Sequence, residues 1–419
     1  MRTVRNTGNP KPARKRKFIG NLVLRNAVLP DGEICCEGGR IERVGPRYPG
    51  DDSGYEVFDF SGFYISPGFI DVHQHGGGGF DYMDGPREAF LGAAVLHAKH
   101  GTTTVFPTTL TCPDEELFEV FRLFRSVRKE DYPGADLYGI HLEGPYFADS
   151  QKGAQDPKYL KVPEKSHYRS VLNAAEGCVV RWTVAPELPG AMELGDELRK
   201  VGIRVSMGHS DADIRVAKEA MAHGYTHLTH FYSGMSTITR KDGYRIPGLV
   251  EAGYLFKDLT VEIIADGKHL PAELLQLVYQ SKGADRTVLV TDAMRGAGQT
   301  EGKTILGSLK NGQVCWIEDG VAKMPDRKAF AGSVATGDRL VRNMVRLTDA
   351  GLCKSVRMMT ETPARLFGLR DRGRLTPGRK ADLAIFDSEI QIEATVCGGA
   401  VVYRRGTDDA ESRFSVSDR

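Results

Sequence analysis

Eight short β-rich apolar runs recur through the middle of this 419-residue chain, at 69–73, 102–107, 137–142, 179–185, 203–207, 226–231, 260–265 and 287–291. Longer stretches of helical character lie between them, among them 89–99, 115–128, 213–222 and 272–280. Eight strand–helix units over this length predict an α/β fold, a (β/α)8 TIM-like barrel spanning 66–371. Further strand-like runs stand at 18–25, 33–44 and 56–65, and again at 374–375, 382–386 and 395–404. They predict that 18–65 and 372–405 pair into a small β-sandwich domain beside the barrel.

A chain with 41% hydrophobic and 26% charged residues can bury a full core. No run reaches the roughly 20 apolar residues of a membrane span, and the basic N-terminus lacks the apolar region of a secretory signal. Seven Lys/Arg and no acid fall within 1–17, which leaves 49 basic against 55 acidic residues elsewhere. The segment 1–17 is therefore read as a solvated basic tail and 406–419 as a polar one, with no nucleic-acid or membrane partner. Seven Cys without a CxxC pair fit free thiols in a reducing cytoplasm and argue against cysteine-ligated zinc.

Ionisable residues gather at the C-terminal ends of the predicted strands, the catalytic face of such a barrel. The first run ends Asp71-Val72-His73-Gln74-His75, and strand alternation points His73 and His75 the same way. The third ends His141-Leu142-Glu143, the fifth Met207-Gly208-His209, the sixth His227-Leu228-Thr229-His230 and the eighth Val290-Thr291-Asp292. Imidazoles and carboxylates suit zinc and related divalent ions. One His-x-His alone is usually a pair of ordinary packed histidines, but five successive strand ends supplying donors are not. His97 and His100 fall outside the series and are read as a solvated helix face, with His167 and His223 on the surface. His227 lies an odd number of residues from His230, so a regular strand sends it to the opposite face, and His141 packs beneath Glu143.

The segments PGFIDVHQHG, HLEGPYF, MGHSDA, THLTHFYSGMS, IADGKHLP and VTDAM, with PGRKADLAIFD near the end, resemble in their order the N-acetylglucosamine-6-phosphate deacetylases of the amidohydrolase superfamily. The resemblance covers roughly residues 18–405. It implies that Glu143, His209 and His230 hold a divalent metal, Zn2+ before Fe2+, Mn2+ or Co2+. His73, His75 and Asp292 would add a second site, with Glu143 bridging. Asp292 would be the catalytic base and then acid. Ala154, Gln155, Ser233, Gly234, His269 and Ala331 would contact substrate. Arg245 would reach the phosphate bound by a neighbouring subunit, which implies a homodimer. The implied reaction converts N-acetylglucosamine 6-phosphate to glucosamine 6-phosphate and acetate in the cytoplasm.

Three departures bear on the substrate. The family's frequent KGxH histidine is replaced in Lys152-Gly153-Ala154-Gln155, whose glutamine can donate a hydrogen bond but carries no charge. An Asn-Ala pair becomes Ser233-Gly234, and the loop before Arg245 carries Arg240 and Lys241. The rival readings are an amidohydrolase acting on another N-acetyl amino sugar or N-acyl compound, and a non-catalytic binding homologue.

Overall fold

The computed structural model describes residues 15–406 apart from 49 and 51. The predicted tails at 1–14 and 407–419 lie outside the described residues. Residues 15–17, read from sequence as part of the basic tail, instead open the first strand, Lys15–Val23. Lys17 is fully buried there, with its Nζ 3.5 Å from Glu33 Oε2 on the neighbouring strand.

Both chain ends contribute to one seven-stranded sheet with its own apolar core, built around Phe18, Ile34, Ile65, Ile385 and Val396. These strands of the expected small β domain are continuously hydrogen-bonded to one another. Lys15–Val23 runs parallel to Glu56–Pro67, and the remaining pairings are antiparallel. Two runs read as single strands are hairpins. The 33–44 run turns at Gly38-Gly39 between Val28–Glu37 and Arg40–Pro46, and the 395–404 run turns at Gly398-Gly399 between Ile392–Cys397 and Ala400–Arg404. All four glycines have positive φ, as two-residue hairpin loops of type I′ require. The two turns also touch: a Cβ on Gly39 would lie 2.6 Å from the Gly398 carbonyl oxygen. The predicted strand at 374–375 is irregular chain.

Eight parallel strands hydrogen-bond in sequence order: Phe69–Gln74, Thr102–Thr109, Ile140–Glu143, Val179–Val184, Arg204–Met207, Tyr225–Leu228, Thr260–Ile263 and Thr287–Leu289. They are the first to eighth barrel strands below. The predicted third run is divided, because Asp136–Leu137 pairs separately with the second strand. The first and eighth strands are joined past the end of the ladder. Asp292 N–H donates to the His73 carbonyl at 2.9 Å, and Thr291 Oγ1 donates to Asp71 Oδ2 at 2.5 Å.

The helices expected from periodicity follow the strands: Arg87–Lys99, Asp114–Val127, Ile214–Ala222 and Ala272–Lys282. Ile214–Ala222 begins where it does because the Asp213 carboxylate accepts from the N–H groups of Arg215 and Val216, an N-cap. After the eighth strand comes a three-stranded sheet that the strand pattern of the sequence did not predict: Gly302–Leu306, Gln313–Glu318 and Val321–Lys323. It packs through Leu306, Cys315 and Ile317 onto Met294 and so leans over the barrel mouth. Among the described residues no helix is long and apolar enough to cross a membrane.

Candidate active site and metal centre

The six strand-end donors converge. His73, His75 and Asp292 form one set and Glu143, His209 and His230 another, with the donor atoms of each set within 4.8 Å of one another. All six are at least nine-tenths buried. Glu143 joins the sets. Its Oε1 lies 3.2 Å from His209 Nε2, 3.0 Å from His230 Nε2 and 3.3 Å from His73 Nε2, while its Oε2 lies 3.3 Å from His75 Nε2. Asp292 Oδ1 stands 3.2 Å from His75 Nε2 and 3.5 Å from His73 Nε2.

Three of these residues leave their strands in a conformation that only glycine adopts freely. φ is 50° at His209, 26° at His230 and 47° at Asp292. Such left-handed geometry costs about 1–3 kcal/mol per residue and persists where surrounding structure enforces it. It also breaks strand alternation, which corrects the expectation for His227. That residue, in the sixth strand, is fully buried and bonds Thr260 Oγ1 at 2.8 Å and Glu262 Oε2 at 3.1 Å. His230, past the strand end, turns to the mouth.

Each imidazole engages its Nδ1 elsewhere. His209 Nδ1 donates to the Gln151 carbonyl at 2.8 Å, His230 Nδ1 to the Ser233 carbonyl at 3.1 Å, His75 Nδ1 to the Thr108 carbonyl at 3.3 Å and His73 Nδ1 to Glu262 at 2.8 Å. Carbonyl oxygens only accept, so in the neutral rings Nδ1 bears the proton and Nε2 bears the lone pair. Four lone pairs then face two carboxylates. His209 Nε2 and His230 Nε2 are only 3.0 Å apart, and buried His73 Nε2 has no hydrogen-bond partner. Divalent cations fit this donor set and remove the repulsion, and the outward Nδ1 bonds are the usual support of metal-binding histidines. Where a proton occupies Nε2 in place of a cation, burial still disfavours ionised Glu143, but the charge of His73 and hydrogen bonds from His209 and His230 outweigh it and hold the carboxyl well below its usual range. Burial likewise disfavours charged His73, yet Glu143, Asp292 and Glu262 push it up to about 9.

A cavity of about 190 Å³ opens onto both sets. Of the residues expected to contact substrate, Ala154, Gln155, Ser233, Gly234 and His269 line it. Gln155 is tied down: Nε2 donates to Glu143 Oε2 at 2.8 Å and Oε1 accepts from Thr111 N–H at 2.9 Å. One of its two amide hydrogens is left for a ligand. His269 Nδ1 donates to Asp266 Oδ2 at 2.9 Å, and its ring packs 4.8 Å from Phe330. Ala331 and Arg245 are not among the residues that line it. Ala331 is fully buried in the core of the added sheet, and its neighbours Phe330 and Gly332 face the cavity. Arg245 sits on an exposed hairpin, Thr239–Lys241 with Tyr244–Ile246, outside the cavity of its own chain.

His141 does pack beneath the site, bonding Thr108 and Thr183 with its ring 4.6 Å from His73. The reading of His97 and His100 as a solvated face is overturned. His97 is fully buried with Nε2 2.9 Å from the Gly76 carbonyl, and His100 pairs with Asp338 at 3.0 Å. Those partners come from chain segments distant in sequence, which helix periodicity does not register. Asp266 and Phe330 were missed, although an aspartate three residues before His269 is a local signal for a side-chain-capped turn.

An amidohydrolase-family model matches residues 64–403. The N-acetylglucosamine-6-phosphate deacetylase of Lysinibacillus sphaericus is 30% identical over 395 residues, covering 92% of this chain and 98% of that one. The N-acetylgalactosamine-6-phosphate deacetylase of Escherichia coli O157:H7 is 32% identical over 331 residues, covering 78% and 85%. Among solved structures, N-acetyl-D-glucosamine-6-phosphate deacetylase from Mycobacterium smegmatis superposes with a TM-score of 0.84 at 30% identity, covering 93% of this chain and 100% of that one. The family match takes in every strand end that supplies a donor, the relatives cover most of the chain, and on them the chain belongs to the amidohydrolase family and, within it, to the N-acetylglucosamine-6-phosphate deacetylases.

Proposed function

We propose that this enzyme hydrolyses the acetamido group of N-acetylglucosamine 6-phosphate to glucosamine 6-phosphate and acetate, using a two-metal centre with zinc as the metal. The observation that carries the reading is the pair of three-donor sets joined by Glu143 at the floor of a cavity, with Asp292 at its wall. All the donors are present, which speaks against a non-catalytic homologue.

Bound divalent ions supply Lewis acidity and lower the pKa of water towards neutrality. Asp292 is placed to take the proton of the attacking water and return it to the leaving amine, which departs poorly without one. Burial disfavours ionised Asp292, but His73 and His75 outweigh it and hold the carboxyl below its usual range. The free Gln155 amide hydrogen and His269, oriented by Asp266, offer donors to the developing oxyanion.

The phosphate and the assembly form the second part of the proposal. Arg240, Lys241 and Arg245 share one exposed hairpin with Tyr244, 78% exposed, and beside Ile238, 56% exposed. Basic and apolar side chains together suit a subunit contact that carries Arg245 to the neighbour's cavity in a homodimer, where the guanidinium fork matches a phosphate. Seven free cysteines accord with a cytoplasmic setting. The galactosamine epimer is a second reading, favoured by the 32% match. Acetate release from both N-acetylhexosamine 6-phosphates and from both unphosphorylated sugars tests the assignment. No release from any of the four sinks it, and a preference for the galacto sugar replaces it with the second reading.

A further inference from the structure

Behind the two donor sets lies a carboxylate that belongs to neither. Glu262, in the seventh barrel strand, is fully buried. Its Oε1 accepts from His73 Nδ1 at 2.8 Å and from the His230 backbone N–H at 2.9 Å. Its Oε2 accepts from His227 Nε2 at 3.1 Å and pairs with Arg181 Nη1 at 2.7 Å. Its own backbone carbonyl accepts from Phe231 N–H at 2.7 Å. One residue thus touches a ligand from each set and brackets the left-handed turn at His230.

Arg181 is held from several sides as well. It is fully buried and bonds Ser206 Oγ at 3.1 Å, Thr229 Oγ1 at 3.0 Å and the Val72 carbonyl at 3.1 Å. A buried ion pair of this kind is weak evidence for stability, since apolar residues of similar volume serve a core equally well. What apolar residues cannot supply is a fixed anionic acceptor for a ring N–H and a backbone N–H that must not move.

We infer that Glu262 is the positioning residue of the metal centre: it keeps the proton on His73 Nδ1, aims His73 Nε2 at the site, and holds His230 in register with it. Its four polar partners use all the lone pairs of the carboxylate, so glutamine cannot replace it without turning an amide N–H towards other donors. The inference rests on the two-metal reading.

The test is zinc affinity, measured on chelator-stripped protein by competition with a chromophoric chelator. Glu262→Gln is expected to weaken zinc binding ten- to a hundredfold, the usual effect of losing a residue that supports a ligand. His227→Phe breaks a different bond to the same carboxylate and is expected to leave zinc affinity nearly unchanged. Unaltered affinity in Glu262→Gln, or an equal loss in both variants, overturns the inference. Wild-type protein that takes up a single zinc overturns it together with the two-metal reading, whereas two zincs with unchanged Glu262→Gln affinities overturn it alone. A measurement on the zinc-loaded wild-type chain covers a variant that fails to fold. Nitrogen NMR of histidine-labelled protein should show His73 with a slowly exchanging Nδ1 proton, and an unprotonated Nδ1 is the contrary result.

Discussion

Asp292 N–H donates to the backbone carbonyl of His73 at 2.9 Å, so the bond that joins the eighth barrel strand to the first also sets the Asp292 carboxylate beside the His73 imidazole. The neighbouring pair Asp71 and Thr291 reinforces this seam through Thr291 Oγ1. The same contacts therefore close the barrel and bring the Asp292 and His73 side chains together.

Asp292→Asn preserves size and the backbone seam but removes the proton acceptor. Turnover is expected to fall at least about a hundredfold, the usual scale of general acid–base catalysis. Steady-state kinetics with zinc content measured alongside gives the answer. Near-normal turnover in metal-replete variant rules the role out.

Two donor sets joined by Glu143 call for two metals per chain. Protein purified without chelator should contain more than one equivalent by elemental analysis, falling towards one when His73 and His75 are both replaced by Ala. A single equivalent in the wild type that survives this replacement removes the second site.

Arg245 lies outside its own chain's cavity and so has to act on a neighbour's substrate or not at all. Arg245→Ala is expected to lower kcat/KM for the phosphorylated sugar about ten- to a hundredfold, the worth of a charged hydrogen bond, and to spare the unphosphorylated sugar. Mixing Arg245→Ala with Asp292→Asn chains should restore some activity through hybrid dimers. Equal impairment of both sugars ends the phosphate assignment, and a fully active monomer in sedimentation ends the shared site.

Asp338 links its helix, Gly337–Leu347, to His100 at the end of Arg87–Lys99. Burial disfavours its charge, but His100, Thr336 and Arg342 outweigh this and hold it down to about 2. A carboxyl depressed in the folded state adds stability above its unfolded pKa of about 3.9, and the contribution is lost as pH falls through the folded value. The difference is worth about 2–3 kcal/mol. Asp338→Asn should lower the urea unfolding free energy by about that amount at neutral pH, and the gap from wild type should close between about pH 4 and about pH 2. A gap that stays constant through this range shows that the ionised pair is not its source.

The sequence by itself determined the eight strands and the donors at their ends. Strand propensity and the placing of His73, His75, Glu143, His209, His230 and Asp292 immediately after apolar runs are local properties, readable within a few residues. The terminal strands were legible for the same reason, although their Gly-Gly turns passed unread. The tertiary structure alone decided what each polar residue faces. Glu262 and Arg181 stand in strands that read as ordinary apolar runs, and their partners besides each other come from the first, fifth and sixth barrel strands or their ends. His97 looked solvated because its partner, the Gly76 carbonyl, is 21 residues away. His227 and His230 broke the expected alternation because a left-handed residue resets the direction of the chain, and no periodicity survives such a turn. A buried ionic group is stable only where several distant elements meet its hydrogen bonds at once, so its role becomes visible only when the barrel has closed around it.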